Sequence, residues 1–494
     1  MENLTPDPLV EGFVSIVDFL NSILWGYVLV YGLLAVGLYF TVRLAFIQIR
    51  HFPEFFKVIK GSRAGDKAGI SPLQALTVSL ASRVGTGNLA GVAVALTLGG
   101  PGAIFWMWMV ALVGMATAYA ESTLAQLYKI RNEDGQYRGG PAFYMARGLG
   151  LPWMGGLFSV ALILSFGLIF NAVQANSIAG ATEQAFGFDR LWIGVGLAIL
   201  AGIIVFGGIR SIARVAEVVV PFMAVAYLLV ALYVVAVHIT EVPAMLGYII
   251  LNAFGLDEAT GGLTGGIMAA LLNGVKRGLF SNEAGMGSAP NIAAVATPQP
   301  HHPSSQGLVQ GLGVFIDTIM ICTATALMIL LSGVYTPGQE TDGITLTQSA
   351  LTAHIGSWGN IFVAIAIFFF AFTSIIGNLS YAENAMTFLG AGGKVGMAFV
   401  RIGALAMVIW GSIESVGTVF NAADASMGLM ATLNLIAILL LSGTVVKLTK
   451  DYFAQKKTGL EPTFDNDMYP ELRGKVDSTI WTMAGDVGPR GGRG

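Results

Sequence analysis

The stretch Leu80-Ala-Ser-Arg-Val-Gly-Thr-Gly-Asn-Leu-Ala-Gly91 sets an arginine and three glycines in the middle of an apolar segment long enough to cross a bilayer. Each glycine weakens a helix by roughly 1 kcal/mol against alanine. In hydrocarbon, no water satisfies the amides and carbonyls that a loosened helix exposes. A break persists there only where the freed backbone meets a partner. The positive end of a half-helix favours an anionic group, and free carbonyls favour a cation.

The surrounding chain is a membrane sequence. Of its 494 residues 55% are hydrophobic and 11% charged, far from the balance of a water-soluble domain. Runs such as Ile23 to Phe46 and Ile361 to Ile376 lack period-2 alternation, which predicts an all-α integral membrane protein rather than a β-barrel. The single cysteine, Cys322, excludes a disulfide framework and reads as a small buried apolar residue. Met1 to Ser22 is acidic and lacks the basic start of a cleavable signal. Nothing points to nucleic acid: Gly85 to Gly91 has one residue too many before its third glycine for a dinucleotide fingerprint, and no strand precedes it.

Hydropathy predicts eleven spans, at about 23–46, 72–97, 102–128, 154–183, 191–208, 214–239, 263–292, 307–333, 359–386, 396–411 and 419–446. With the N-terminus outside, 22 of the 26 lysines and arginines fall on inner segments and only Arg190 on an outer one. That bias predicts an external N-terminus and a cytoplasmic C-terminus. Arg83, Lys276 and Arg277 remain within spans and call for partners.

The predicted units are an external N-terminus (1–22), a first span with a basic inner loop (23–71), two five-helix halves (72–240 and 263–446) and a cytoplasmic, partly disordered tail (447–494). Five is odd, so the halves enter the membrane from opposite sides, as in an inverted repeat. The first helix of the second half is also interrupted, at Arg277-Gly-Leu-Phe-Ser-Asn-Glu-Ala-Gly-Met-Gly-Ser-Ala-Pro290. Paired breaks at corresponding positions point to a binding site between the halves. Segments 241–262 and 338–356 read as outer loops with short interfacial helices.

Several side chains bear on that site. Arg83 and Glu283 each lie in a break, and either pair across the repeat interface or face separate wet vestibules. Glu121, in Ala118-Tyr-Ala-Glu-Ser-Thr, is read as accepting hydrogen bonds from freed amides rather than relaying protons. Asp317 either coordinates a cation or caps polar groups. Phe170 and Gln174 share a helix face at i, i+4 and suit one pocket, whereas Asn176 equally suits interhelical bonding. Thr373 and Ser374 bond back to their own helix unless freed carbonyls at Ala81 and Val84 face them, in which case the four form an oxygen cage for a hard monovalent cation. His301-His302-Pro303 has no nearby Cys or Asp and carries no metal site.

Three blocks, Ser82-Arg-Val-Gly-Thr-Gly-Asn88, Gly278-Leu-Phe-Ser-Asn-Glu-Ala-Gly-Met-Gly-Ser-Ala-Pro290 and Phe315-Ile-Asp-Thr318, resemble those of the alanine or glycine:cation symporter family. The family is similar in architecture to LeuT-type, five-plus-five inverted-repeat transporters. The resemblance implies sodium-coupled uptake of alanine or glycine across a prokaryotic inner membrane, with sodium as coupling ion and no other cofactor. It implies a substrate site of Thr86, Gly87, Phe170, Gln174, Phe280, Ser281, Gly285 and Met286, and a sodium site of Ala81, Val84, Thr373 and Ser374. Arg83, Asn88, Glu121, Glu283 and Asp317 stand as supporting residues. Gln174 takes the place of a tyrosine common in that fold, and Arg83 that of a small residue. Proton coupling is the alternative. Two further alternatives rank below it: a channel, which needs a continuous polar pore, and an intramembrane enzyme, for which the sequence offers neither a histidine beside a serine nor an HExxH pattern.

Overall fold

In the first broken segment, Ser71 caps the helix Pro72–Arg83 through a reciprocal pair with Gln74, and Pro72 supplies a preset first turn. That helix stops at Val84, whose ψ of 92° is extended, and the chain resumes as Gly87–Gly99. The second broken segment is Leu263–Asn282 followed by Pro290–Val295. Between them Glu283, Gly285 and Gly287 have φ of 58°, 88° and 84°, a left-handed path that glycine permits and that Glu283 adopts at a cost.

The computed structural model describes residues 8–60, 65–133, 135–206, 209–256, 263–338 and 343–481. These residues are helical apart from loops and one ribbon, Ile130–Arg131 against Tyr137–Arg138. Among the described residues eight helices are long and apolar enough to cross a membrane: Ser15–Arg43, Gly102–Leu127, Pro152–Phe186, Glu217–Val237, Pro303–Leu330, Trp358–Phe388, Lys394–Ile413 and Val416–Leu440. The other three predicted spans are the two broken segments and the 16-residue Arg190–Val205. The first helical stretch begins at Pro8, ahead of the hydropathy estimate, and ends where Ala45 and Phe46 take positive φ.

Both breaks are enclosed: residues 75–93 and 278–296 are buried throughout. Of Pro303–Leu330, 72% of the apolar window is buried, against 28% for Glu217–Val237 and Lys394–Ile413, which form the rim. Close approach is bought with small residues: a Cβ on Gly274 would meet the Ala103 carbonyl at 2.5 Å, and one on Gly307 would meet Thr123 and the Tyr119 carbonyl. The helix Gly343–Ile355 is more than interfacial, since Thr347 donates to the Leu89 carbonyl (3.0 Å) and Gln348 to that of Ala181 (3.1 Å).

The tail is ordered and packed as far as Trp481. The helix Ser442–Lys457 leads into a segment in which Phe464 N donates to the His301 carbonyl (2.9 Å) and the buried Trp481 indole to that of Leu127 (3.1 Å). Arg147 Nε donates to the Lys475 carbonyl (3.0 Å). Scattered apolar residues, Phe464, Leu472, Val476, Ile480 and Trp481, do this without a long run, so hydropathy overlooks them. The predicted external residues 1–7, Arg63 and the terminal 482–494 lie outside the described residues.

Candidate functional site

The two breaks meet. Gly87 is so close to the second break that a Cβ on it would stand 3.0 Å from the Phe280 ring and 3.1 Å from the Ser281 Cα. Asn88 joins them: its side-chain oxygen accepts from Gly85 N (2.9 Å), and its amide donates to Ser281 Oγ (3.2 Å) and Asp317 Oδ1 (2.6 Å). Ser281 and Thr318 each donate to Asp317 Oδ2 at 2.7 Å. Asp317 therefore gathers polar groups from both breaks, and no lysine or arginine among the described residues pairs with it.

Three π-helical turns adjoin this centre, at Gly87–Gly91, Ile163–Ile169 and Phe315–Cys322. Each adds a residue to the turn and redirects the side chains that follow. Phe170 emerges after one of them and stacks on Phe280 with centroids 4.8 Å apart, while Phe420 tilts against Phe280 at 5.5 Å. Gln174, one turn on, accepts from Thr86 N at 2.9 Å. The site thus has a polar side of break amides and an aromatic wall.

Two of the four residues of the predicted cation site are in hydrogen-bond contact. Ser374 Oγ lies 2.8 Å from the Ala81 carbonyl oxygen, and Gly85 is small enough to pass against it. Thr373 bonds back to the Phe370 carbonyl at 2.9 Å. Neither hydroxyl donates to the Val84 carbonyl among the described residues.

Glu121 grips the second break. Oε1 accepts from Gly285 N (3.1 Å) and Oε2 from the Asn434 amide (2.7 Å), which also donates to the Gly285 carbonyl (3.0 Å). Tyr144 donates in turn to Asn434. A Cβ on Gly285 would stand against Leu435, Thr117 and Leu33. Met286, the next residue, is fully buried, and its backbone N donates to the Glu283 carbonyl at 3.1 Å.

Arg83 and Glu283 do not pair. Glu283 takes its hydrogen bonds from Ser82 (2.9 Å) and Ser288 (2.5 Å), whereas Arg83 Nη1 donates to the Gln310 carbonyl (3.2 Å). The other two intramembrane cations share one partner, Asp424: Arg277 bonds both its oxygens, and Lys276 lies 3.5 Å away. Asp424, Asn434, Ser82 and Asn378, whose side-chain oxygen competes with Glu283 for the Ser82 hydroxyl at 2.6 Å, were not singled out by sequence reasoning. A polar residue inside an apolar run was the available signal for all four.

A model of the sodium:alanine symporter family matches residues 10–466. The chain belongs to that family. The curated relatives of this sodium:alanine symporter family member include the probable sodium/glutamine symporter GlnT of Bacillus subtilis, 49% identical, with 93% of this chain and 95% of that protein covered. The sodium/alanine symporter AgcS of Methanococcus maripaludis is 41% identical, with 89% and 97% covered. Among solved structures, MhsT in complex with L-phenylalanine matches with a TM-score of 0.49 and 14% identity, covering 78% of this chain and 99% of MhsT.

Proposed function

We propose that this protein carries alanine or glycine with sodium across a prokaryotic inner membrane by alternating access, with its N-terminus outside and its C-terminal segment in the cytoplasm. The observation that carries the reading is the meeting of two helix breaks at Asn88, Gly87 and Phe280, within a family of symporters. The two five-helix halves, 72–240 and 263–446, would then rock about that junction within the lipid bilayer.

In this reading the substrate carboxylate takes the amides of Thr86 and Gly87. Gln174 presents an oxygen to Thr86 here, and by turning its amide over it offers an NH₂ group to the carboxylate instead. The ammonium lies by the Phe280 carbonyl and by Ser281, whose own proton goes to Asp317, so the negative charge of Asp317 assists. The stacked Phe170 and Phe280 limit side-chain size. Sodium is held by Ala81 and Val84 carbonyls with Ser374 and Thr373. One sodium ion crossing about 100 mV supplies roughly 2.3 kcal/mol, and a tenfold gradient adds about 1.4. Together these sustain several-hundredfold accumulation of a neutral zwitterion.

A second reading, proton coupling, has one observation in its favour: Asp317 is a buried carboxylate with no basic partner among the described residues. Proteoliposome uptake of labelled alanine, with sodium, potassium and proton gradients imposed one at a time, separates the two. Sodium alone driving accumulation is expected. Accumulation driven by protons without sodium would transfer the role to Asp317.

A further inference from the structure

Arg83 is 2% exposed, and only one edge of its guanidinium is used. Nη1 donates to the Gln310 carbonyl at 3.2 Å, and a Cβ on Gly313 would stand 2.6 Å from the same nitrogen, so the group is fixed against the helix Pro303–Val314. Nε and Nη2, the two nitrogens whose hydrogens point in parallel on the opposite edge, have no hydrogen-bond partner. That edge is the side-on fork that takes both oxygens of a carboxylate. Glu283, in the facing break, is already held by Ser82 and Ser288.

The neighbouring helix continues the pattern. Gln310 and Gln306 stand at i, i+4 and therefore on one face, which Gly313 shares at i+7 and which Arg83 meets. Both amides are fully buried, and all four of their side-chain N and O atoms are unpartnered. Buried amides and guanidinium edges are almost always satisfied by protein groups or ordered water, and a row of them without protein partners is chemically able to take a polar guest. The row starts beside the first break and runs toward His302, which bonds Asp451 of the C-terminal segment at 3.2 Å.

We propose that Arg83, with the side-chain amides of Gln310 and Gln306, forms a second carboxylate-binding station that receives the amino acid between the central site and the cytoplasm. The inference rests on the transport reading above and on its orientation. When the inner half-helices part, the Nε and Nη2 edge takes the substrate carboxylate from the amides of the first break. The glutamine amides then solvate the departing zwitterion, donating to its carboxylate and accepting from its ammonium. Arg83 touches substrate only on this inner leg.

The test uses full-length protein in proteoliposomes of known orientation, loaded with graded unlabelled alanine while labelled alanine exchanges from outside. Arg83→Gln is expected to raise the internal half-saturating alanine concentration, relative to the external one, by about tenfold or more, the worth of a charge-assisted hydrogen-bond pair. Arg83→Lys, which keeps the charge and loses the fork, falls between. Gln310→Leu and Gln306→Leu shift the same ratio in the same direction, and they carry the test if Arg83→Gln does not reconstitute. A ratio unchanged in all of these variants, or equal shifts on both sides, overturns the station. Wild-type protein that moves no alanine overturns the transport reading and the station with it, whereas a transporting wild type with an unchanged ratio overturns the station alone.

Discussion

Glu121 offers the sharpest test of how the second break is held open. Its two oxygens take the Gly285 amide at 3.1 Å and the Asn434 amide at 2.7 Å, in a pocket from which solvent is excluded. Glu121→Ala leaves both donors buried without an acceptor. At about 1–3 kcal/mol each the loss is roughly 2–6 kcal/mol, concentrated on a glycine whose φ of 88° has no helix to fall back on. Glu121→Gln keeps an acceptor for Gly285 but turns an NH₂ group toward Asn434. Asn434 can answer by turning over, because Tyr144 is a hydroxyl that accepts as well as donates. The Gly285 carbonyl then loses its donor, a cost of about 1 kcal/mol. Initial rates of sodium-driven alanine uptake in proteoliposomes should therefore fall within about tenfold for glutamine, since 1.4 kcal/mol is one decade. For alanine they should fall to background. A glutamine form that binds alanine normally yet transports none would refute the clasp in favour of proton relay, and an alanine form with wild-type rates would refute it outright.

Because Ser374 rather than Thr373 reaches the Ala81 carbonyl, Ser374→Ala should account for most of the tenfold or greater rise in half-saturating sodium expected of the double alanine variant, read from uptake against sodium concentration. Phe280→Ala opens the wall against Phe170 and should admit valine or leucine as competitors while weakening alanine, since one methylene is worth about 1–3 kcal/mol in such a pocket; Met286→Ala should do the same, and an unchanged size ranking for both variants in competition assays would move selection elsewhere. Burial holds the His302 imidazole below its ordinary value despite Asp451, and its Nδ1 accepts from Ser304 N at 3.1 Å, a role only the neutral ring can fill. The unfolded chain therefore takes this proton more readily, and stability is lost as pH falls below about 6.5. His302→Asn, which retains a helix cap, should flatten the drop in thermal midpoint between pH 7.5 and 5.5, and a parental slope would count against it.

The two breaks, the clasp by Glu121 and the pairing of Phe170 with Gln174 on one face were legible because each depends on local rules. Glycine in a lipid-buried helix, an isolated carboxylate and an i, i+4 spacing carry their meaning within a few residues of sequence. The sites of Arg277 and Lys276 were legible only as a question, since their partner Asp424 lies 147 residues from Arg277 on a helix that hydropathy cannot place beside it. The same limit hid the packed tail, whose Trp481 closes on Leu127 across 354 residues.

From sequence alone come the helical class, the membrane setting, the location of both interruptions and the family. These follow from solvent transfer and backbone geometry, which act on each segment separately. Tertiary structure decided the partners. It sent Glu283 to Ser82 and Ser288 and Arg83 to Gln310, although both charges lie in facing breaks. It also turned Gly285 toward Leu435 while bringing Ser281 onto Asp317. A buried polar group bonds whichever neighbour the packed helices present at about 3 Å, and that neighbour is fixed by helix rotation and crossing, which no single stretch of sequence contains.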